Sequence, residues 1–343
     1  MAGKVPGLRA PDKGPSRGGG RTGDPRPARR LQQAAGDSGG VSVKTVILAG
    51  GYARRLWPIT LDRPKPLLPV AGKPILDYLM ERYPFPEPPI LSTNRRFAAD
   101  FSAWAKERGY SIQLAVEDTA AEEEKLGSVG ALARLVEVLD LKDDLLVIGG
   151  DNLFSFELGE LVASFHGEVL VALYELGDPQ VARRRYGVAV VEGDLVVGFQ
   201  EKPEDPRSSL ASTACYVFPR RVLPLFRDFL NQAPAGQDAP GYFLSWLLSR
   251  ERIRAFVFRE GWFDIGGREA YIAANLHFNG GKSWIHPEAE VRGSRIERSV
   301  VLGPSLIENS RLSGCVVDEG AELSGVELED TLIGRGSRLR AAD

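Results

Sequence analysis

The sequence predicts an α/β protein with a mostly parallel, helix-covered sheet, followed by a short β-solenoid. From residue 43 to about residue 277, short apolar runs alternate with amphipathic, helix-like stretches. After about residue 284, apolar residues instead recur every five or six positions, a spacing that fits neither a helix nor an ordinary strand. Two of the apolar runs end directly in Gly-Gly, which indicates sharp turns at the carboxyl ends of strands, where such sheets bind ligands.

Length and composition place the chain among soluble globular proteins. Its 343 residues suffice for two domains, and its 43% hydrophobic and 26% charged residues are ordinary values. The net charge of −3 provides no basic field for nucleic acid. No apolar run approaches the ~18–20 residues of a membrane span. We therefore expect no nucleic-acid or membrane partner and a cytoplasmic location, where Cys215 and Cys315 are inert buried thiols.

The first 42 residues differ from the rest. Residues 1–40 hold ten Gly, five Pro and no aromatic residue, and eight Lys and Arg against three Asp. Such a segment buries too little apolar surface to offset the entropy of ordering it. The sequence predicts a disordered basic extension over residues 1–42, and a natural start at Val41 or Val43 is an alternative.

The repeated βα units predict the sheet and its helices. The amphipathic segment 128–139 places its apolar side chains on one face at helical spacing, and alternating strands and helices favour a parallel sheet covered on both sides. The predicted strands are 44–48, 89–92, 111–116, 144–148 and 168–173. The predicted helices are 75–82, 97–108 and 128–139.

The five- and six-residue steps after residue 284 predict a stacked solenoid of short strands and tight turns. At about eighteen residues per coil, we expect about three coils. The recurring apolar residues are Ile285, Val291, Ile296, Val301, Leu306, Leu312, Val317, Leu323, Leu328, Ile333 and Leu339.

The loop after the first strand has the features of a polyphosphate site. Gly50 and Gly51 end the apolar run and leave backbone N–H groups accessible, with no Cβ in the way. Arg55 follows, and Lys65 sits between prolines that restrict its loop. The loop is neither a Walker A sequence nor a dinucleotide fingerprint, and a plain tight turn is the alternative.

The first strand, its glycine loop and the segment around Lys65 follow one another in an order that resembles the sugar-1-phosphate nucleotidylyltransferase family. The usual pattern there is Gly-Gly-x-Gly-Thr-Arg-Leu-x-Pro-Leu-Thr, then Lys-Pro-Leu-Leu-Pro, and this chain carries both elements between residues 50 and 69. Later segments are similar to the family's base-binding turn (126–132), metal aspartate motif (150–152), sugar-phosphate motif (186–188 and 199–203) and second metal aspartate (261–266).

The resemblance implies a Rossmann-like mixed, mostly parallel sheet with helices on both faces over residues 43–280. It also implies a left-handed β-helix of hexapeptide-like repeats over residues 284–343. The implied reaction is Mg²⁺-assisted, in-line attack of a sugar 1-phosphate on the α-phosphate of a nucleoside triphosphate, with release of pyrophosphate. Because both reactants are anions, charge neutralisation and positioning dominate such catalysis.

The resemblance also assigns roles to residues of this chain. Arg55 would hold the leaving pyrophosphate, Lys65 would lie at the α-phosphate, and Lys202 would bind the incoming sugar phosphate. The metal ligands would be Asp151 and Asp264, with Asp151 also counted as catalytic. The expected nucleotide-binding residues are Leu48, Ala49, Gly50, Gly51, Lys65, Gly127, Ser128 and Gly130. The expected sugar-phosphate residues are Asn152, Gly187, Glu201, Lys202 and Trp262.

Structural alternatives exist for several of these residues. Asp151 could cap a helix, Asp264 could be a solvated turn residue, and Trp262 could pack against Ile265 instead of facing the sugar. Two positions depart from the family pattern, since Ala53 replaces the third loop glycine and Arg54 replaces threonine. Because alanine resists positive φ, the loop must either avoid that region or bear strain.

The base and the sugar are less well determined by the resemblance. The segment 150–154 looks most like glucose-1-phosphate thymidylyltransferases, whereas the turn at 127–132 is closer to mannose-1-phosphate guanylyltransferases. We give the first segment more weight and expect dTTP with glucose 1-phosphate, with the guanylyltransferase pair as the alternative. The sequence is also compatible with a UTP-using enzyme and with a non-catalytic regulatory subunit that binds nucleotide-sugar. The short solenoid favours assembly into a homo-oligomer over a second, acyltransferase activity.

Overall fold

The computed structural model describes residues 43–118, 126–234 and 236–341. The predicted extension over residues 1–42 lies outside the described residues. Among the described helices, none has the length and apolar character needed to cross a bilayer.

Residues 43–278 form alternating strands and helices. The strands of this part are β1 (Val43–Leu48), β2 (Pro69–Val70), β3 (Lys73–Pro74), β4 (Ile90–Asn94), β5 (Gln113–Glu117), β6 (Asp144–Gly149), β7 (Asn152–Phe154), β8 (Val169–Glu175), β9 (Val188–Glu192), β10 (Leu195–Gln200), β11 (Leu210–Phe218), β12 (Ile253–Phe258) and β13 (Trp262–Asp264). The helices are α1 (Ile75–Met80), α2 (Ala98–Arg108), α3 (Gly127–Val138), α4 (Leu158–Ala163), α5 (Leu223–Gln232), α6 (Pro240–Leu247) and α7 (Arg268–Phe278). Short 3-10 turns span Arg54–Leu56, Lys65–Leu67, Pro179–Ala182 and Arg220–Val222.

One nine-stranded sheet organises this part, in the order β5-β4-β1-β6-β11-β8-β12-β10-β9. Strands β5, β4, β1 and β6 are mutually parallel, and β8 and β12 are parallel to each other. Within this sheet β10 and β11 run against the others, since every pairing they make is antiparallel. The prediction of a mixed, mostly parallel sheet is therefore confirmed.

Helices cover both faces of this sheet because the central strands are apolar on both sides. In β1, Ile47 belongs to the cluster that includes α1, α2 and α4, whereas Val46 belongs to the cluster that includes α3, α5 and α6. The helix predicted over residues 128–139 buries Val129, Leu132 and Leu135, as its spacing indicated.

The C-terminal part is a parallel β-helix with three sheets. Each strand pairs with the strand 16 residues later, as Trp284 does with Val300 and Val300 with Val316. The expectation of about eighteen residues per coil is wrong, because most apolar steps span five residues instead of six. The strands are β14 (Trp284–Ile285), β15 (Glu290–Arg292), β16 (Arg295–Glu297), β17 (Val300–Val301), β18 (Leu306–Glu308), β19 (Arg311–Ser313), β20 (Val316–Val317), β21 (Glu322–Ser324), β22 (Glu327–Glu329), β23 (Leu332–Ile333) and β24 (Arg338–Arg340).

The β-helix has an interior core and one covered outer face. Val301, Val317 and Ile333 point inward and pack together. Their neighbours Val300 and Val316 point outward and belong to the cluster that contains α7 and the loop after β1. The sheet β14-β17-β20-β23 is therefore the face on which the βα part rests. The interior also contains Cys315, which is buried like Cys215 in the main sheet, and both are free thiols as expected.

Candidate active site

A cavity of about 680 Å³ opens at the carboxyl ends of β1, β4, β5 and β6. Because these four strands are parallel, their carboxyl ends meet at one edge of the sheet, where α/β folds bind ligands. The cavity extends across the bulged strand β11 toward β13 and α6. Its lining includes the predicted residues Leu48, Ala49, Gly50, Gly51, Lys65, Gly127, Ser128, Asp151, Asn152, Gly187, Glu201, Lys202, Trp262 and Asp264.

The glycine loop is held at the sheet edge by one backbone and one side-chain hydrogen bond with residues of β4. The N–H of Ala49 donates to the carbonyl of Ser92 (2.8 Å), and the side-chain amide of Asn94 donates to the carbonyl of Gly50 (3.0 Å). A Cβ added at Gly51 would meet no atom within 4 Å. The loop therefore presents open backbone to the cavity, as expected for a strand end that binds phosphate.

A second glycine, Gly127, begins α3 on the opposite wall. Its φ of +72° lies in the left-handed region, and an added Cβ would collide with the carboxylate of Asp238. The N–H of Val129 donates to the carbonyl of Asp238 (3.2 Å). Glycine at 127 therefore leaves room for Asp238, in the loop before α6, to pack against this turn. Asp238 also lines the cavity.

Two aspartates are brought together by the short antiparallel pair of β7 and β13. Asp151 lies in the turn between β6 and β7, and Asp264 ends β13 opposite Asn152. The N–H of Ile265 donates to the carbonyl of Asp151 (3.1 Å). Asp151 is followed by a strand, so it does not cap a helix. Asp264 is half-buried, which distinguishes it from a solvated turn residue.

Charges of both signs surround this pair of aspartates. The Lys65 ammonium forms an ion pair with the carboxylate of Asp151. Burial, followed by the nearby charge of Asp151, raises the pKa of Asp264 to about 6, although Lys65, Lys202 and Arg55 act in the opposite direction. A carboxylate that is desolvated beside another carboxylate gains from a bound cation.

The donor set fits one hard divalent ion. Mg²⁺ is commonly held by one or two carboxylates together with waters and substrate phosphates, and Asp151 and Asp264 supply two such carboxylates. Among the described residues there is no group of three or more His, Cys, Asp or Glu side chains that could form an all-protein metal cage. The site is thus suited to an ion that is shared with substrate.

The other half of the cavity is lined by a carboxylate and an ammonium. Glu201 follows β10 directly, and burial raises its pKa while the neighbouring Lys202 opposes this. The two groups lie 3.6 Å apart, with the Glu201 side chain nearly buried and that of Lys202 half exposed. An added Cβ at Gly187 would come within 2.9 Å of Phe199 and 3.1 Å of Glu201. Glycine at 187 therefore makes room for Glu201 itself.

Trp262 both packs and lines the cavity. Its indole N–H donates to the side-chain oxygen of Asn152 (2.8 Å), and the Asn152 amide donates to Asp151 (2.9 Å). The Trp262 ring lies 4.8 Å from the ring of Tyr186. This chain of contacts fixes the orientation of Asp151 from the side of the cavity that Glu201 occupies.

The geometry agrees with comparisons against known proteins. The family model described as "Nucleotidyl transferase" matches residues 44–280, more than two thirds of the chain. The chain belongs to the nucleotidyl transferase family. The match covers all of the nine-stranded sheet except Val43, and every cavity residue described above.

Several members of the nucleotidyl transferase family are similar to this chain. Mannose-1-phosphate guanylyltransferase of Mycobacterium tuberculosis is 33% identical over 315 residues, covering 87% of this chain and 82% of that protein. Mannose-1-phosphate guanyltransferase of Eremothecium gossypii is 26% identical over 277 residues, covering 77% and 72%. A crystal structure from Bacillus anthracis, provisionally named as a glucose-1-phosphate thymidylyltransferase and complexed with a sucrose, superposes with a TM-score of 0.58. It is 28% identical and covers 69% of this chain and 95% of that one.

Two predicted residues of this nucleotidyl transferase do not line the cavity. Arg55 is exposed in the 3-10 turn after the glycine loop, near Gly267, and its charge reaches Asp264. Gly130 lies in the first turn of α3, where an added Cβ would come within 3.1 Å of Leu126. Their assigned roles stay predictions.

Sequence reasoning missed other residues that do line the cavity. Glu117 ends β5 and accepts a hydrogen bond from the Ser92 hydroxyl (3.2 Å). Burial raises the pKa of Glu117 above its ordinary value, against the opposing effects of Ser92 and Arg134. The sequence did contain a signal for Glu117, because the residue directly follows the predicted strand 111–116. Gly50 and Asp151 likewise come within three residues of the ends of their predicted strands. For Asp238 the sequence contained no such signal, since that residue lies between two helices.

The departure at Ala53 carries backbone strain. Ala53 adopts φ 51° and ψ 41°, in the left-handed region. Its carbonyl accepts from the N–H of Leu56 (2.9 Å) and from the Thr60 hydroxyl (2.9 Å), which fix the residue in place. Of the two outcomes that the sequence left open, the loop bears the strain.

Replacing Ala53 by glycine is expected to raise the free energy of unfolding by about 0.5–1 kcal/mol. The substitution removes the energetic penalty of alanine in the left-handed region, and the greater conformational entropy of glycine in the unfolded chain offsets part of this gain. Urea denaturation would measure it. Ala71→Gly is the matched positive control, because Ala71 is also left-handed (φ 48°) but lies in the β2–β3 turn, outside the cavity lining. A loss of stability in Ala53→Gly alone would contradict the strain assignment.

Proposed function

We propose that this protein transfers a nucleotidyl group from a nucleoside triphosphate to a sugar 1-phosphate and releases pyrophosphate, with GTP and mannose 1-phosphate as the favoured pair. The observation that carries the reaction is the arrangement of charges in one cavity. Lys65, Asp151 and Asp264 lie between the glycine loop on one side and Lys202 on the other. The triphosphate and the sugar phosphate therefore have separate cationic partners that meet at the acidic pair.

The roles of the residues follow from this arrangement. Lys202 holds the sugar phosphate, and an oxygen of that phosphate attacks the α-phosphorus in line while the bond to the β-phosphate breaks. Lys65 neutralises charge at the α-phosphate, and Arg55 binds the departing pyrophosphate through its planar donor fork. Asp151 and Asp264 would hold Mg²⁺, which when bound supplies positive charge to the phosphate oxygens. Neither a covalent intermediate nor a general base is needed.

The choice of GTP rests on Glu117. A carboxylate accepts two hydrogen bonds side by side, and guanine offers two adjacent donors on its pairing edge, whereas thymine and uracil offer one donor between two carbonyls. Glu117 lines the cavity wall opposite the sugar half, 3.8 Å from where a Cβ of Gly50 would lie. The two guanylyltransferase relatives support the same base and suggest mannose 1-phosphate.

A second pair, dTTP with glucose 1-phosphate, was favoured by the segment 150–154 and is supported by the B. anthracis structure. A pyrophosphate-release assay with Mg²⁺ decides between them by crossing GTP, dTTP, UTP, CTP and ATP against mannose 1-phosphate and glucose 1-phosphate. Release with GTP above all others supports the proposal. Release with dTTP and glucose 1-phosphate would replace it. No release from any pair would favour the regulatory subunit.

The variant Glu117→Gln tests the base assignment directly. Glutamine presents one acceptor and one donor, which suits thymine or uracil, so kcat/KM for GTP should fall about 10- to 100-fold while that for dTTP or UTP rises. Ser92→Ala is the matched control, since it removes only the hydrogen bond to Glu117 and should have a smaller effect. Unchanged relative rates across the five nucleotides would show that Glu117 does not read the base.

The homo-oligomer predicted from the β-helix stays a proposal. One of its three sheets is covered by the nucleotidyl transferase part, so self-association would use the two remaining faces. The cytoplasmic location also stays a prediction.

A further inference from the structure

The β-helix shares a core with the segments that carry the catalytic charges. Leu56, Leu153 and Ile265 each lie within two residues of Arg55, Asp151 or Asp264 and are nearly fully buried. All three belong to one hydrophobic cluster with outward-facing side chains of the β-helix. Those β-helix residues are Val300, Leu302, Val316, Trp284 and Leu332. The backbone next to each charged group is therefore anchored in a hydrophobic cluster to which the β-helix contributes side chains.

A buried ion pair ties the loop between Arg55 and Lys65 to the β-helix. One guanidinium nitrogen of Arg63 donates to both carboxylate oxygens of Asp318, at 2.8 and 3.1 Å. Asp318 follows β20 and its side chain is 1% exposed, while that of Arg63 is 19% exposed. Arg63 lies two residues before Lys65, so this pair sets where the lysine-bearing turn begins.

A second ion pair ties the segment after Asp264 to the β-helix. Arg268 opens α7, four residues after Asp264, and its guanidinium contacts Asp330 (3.0 Å) and the carbonyl of Gly314 (3.2 Å). The ring of Pro58 also fits against Gly334, where an added Cβ would come within 2.8 Å. The segments that carry Lys65 and Asp264 are thus attached to successive coils of the β-helix.

The sugar half of the cavity packs on different parts of the protein. Glu201 and Lys202 contact each other, and Gly187 contacts Phe199 and Glu201. Phe199 and Trp262 belong to the two clusters that cover the faces of the nine-stranded sheet, and among the described residues neither cluster includes a side chain from 284–341. A disturbance at the boundary with the β-helix therefore reaches Asp151 and Asp264 more directly than Glu201 and Lys202.

We propose that the β-helix positions the catalytic charges, with Arg63 and Asp318 as positioning residues for the turn that carries Lys65. The proposal rests on the proposed function, and it gives the β-helix a role within one subunit that is separate from assembly. In some proteins a buried ion pair fixes how two segments are aligned even though it adds little stability. Displacement of a charged group by about 1 Å costs up to about 100-fold in rate.

The test is Asp318→Asn, which keeps the shape of the side chain and removes its charge. We expect kcat to fall about tenfold or more, with less than about a twofold change in KM for the sugar 1-phosphate. Arg292→Gln is the matched control, because Arg292 pairs with Glu308 on an exposed part of the β-helix, and it should leave kcat unchanged. A kcat within twofold of wild type in Asp318→Asn would overturn the proposal.

A double variant separates positioning from stability. Arg63→Met with Asp318→Leu removes both buried charges, so Tm should recover relative to Asp318→Asn while kcat stays low. Recovery of kcat together with Tm would mean that the pair is only structural.

Hydrogen exchange gives a readout that does not depend on turnover. Amides of residues 54–67 should exchange faster in Asp318→Asn, and those of β1 and β4 should not. Unchanged exchange would overturn the proposal even if the wild-type protein turns over no substrate.

Discussion

Replacing Asp264 by asparagine is expected to abolish nucleotidyl transfer and to stabilise the metal-free protein at pH 7. The variant removes one of two carboxylates that would hold Mg²⁺ at the reacting phosphates, so kcat should fall on the order of 10³-fold. It also removes a charge that burial and Asp151 disfavour. Pyrophosphate release and urea denaturation in EDTA would measure the two effects on one preparation.

The pH dependence of this stabilisation follows from the sign of the pKa shift. The folded pKa of Asp264 is about 6, above its ordinary value of 3.8, so the folded protein holds the proton more tightly than the unfolded chain. Stability is therefore lost as pH rises from about 4 to about 6, by at most about 3 kcal/mol from this group. Asp264→Asn should match wild type near pH 4 and exceed it above pH 6.

The control for this prediction is Asp205→Asn, which changes an exposed aspartate in the loop before β11 and should alter neither kcat nor the pH profile. Adding Mg²⁺ should raise the Tm of the wild-type protein and not that of Asp264→Asn. If Asp264→Asn keeps kcat within tenfold of wild type, Asp264 is not a metal ligand. If its stability at pH 7 equals that of wild type, the buried charge is already compensated.

The order of elements and much of the site could be predicted because both depend on local sequence. Apolar runs and helical spacing located β1, β6 and α3 to within two residues. The rule that ligands lie beyond the carboxyl ends of parallel strands placed Gly50 and Asp151 together. The same rule applies to Glu117, which directly follows a predicted strand but lies outside every segment that resembles the family.

The attachment of the β-helix could not be predicted, because it depends on contacts between distant parts of the chain. Arg63 and Asp318 are 255 positions apart, and neither lies in a pattern that indicates burial. The outward-facing Val300 and Val316 each come directly before an inward-facing valine, so in the sequence each pair reads as one apolar run. Only the folded arrangement shows that one sheet of the solenoid is covered. The reversal of β11 is equally non-local, since its sequence does not record its direction.

Replacing Lys65 by methionine is expected to lower kcat by about 10²- to 10³-fold. Lys65 is mostly buried, lies in a 3-10 turn between two prolines, and pairs with Asp151. The substitution removes the cation proposed for the α-phosphate and leaves Asp151 without this partner. The metal-free variant should therefore also unfold more easily, by about 1 kcal/mol, because the Asp151 side chain is partly exposed. Steady-state kinetics and urea denaturation would measure both effects.

Magnesium distinguishes the two roles of Lys65. If the lysine served only to neutralise Asp151, saturating Mg²⁺ would replace it and kcat of Lys65→Met would return to the wild-type level. If it acts on the α-phosphate, Mg²⁺ should restore stability while kcat stays low, because the ion and the ammonium neutralise different oxygens.

Lys65→Arg is the matched control, which keeps the charge but presents a planar fork in place of a point charge. It should retain stability and recover only part of kcat. A full recovery with arginine would show that charge alone, and not the reach of the lysine, supports the transfer.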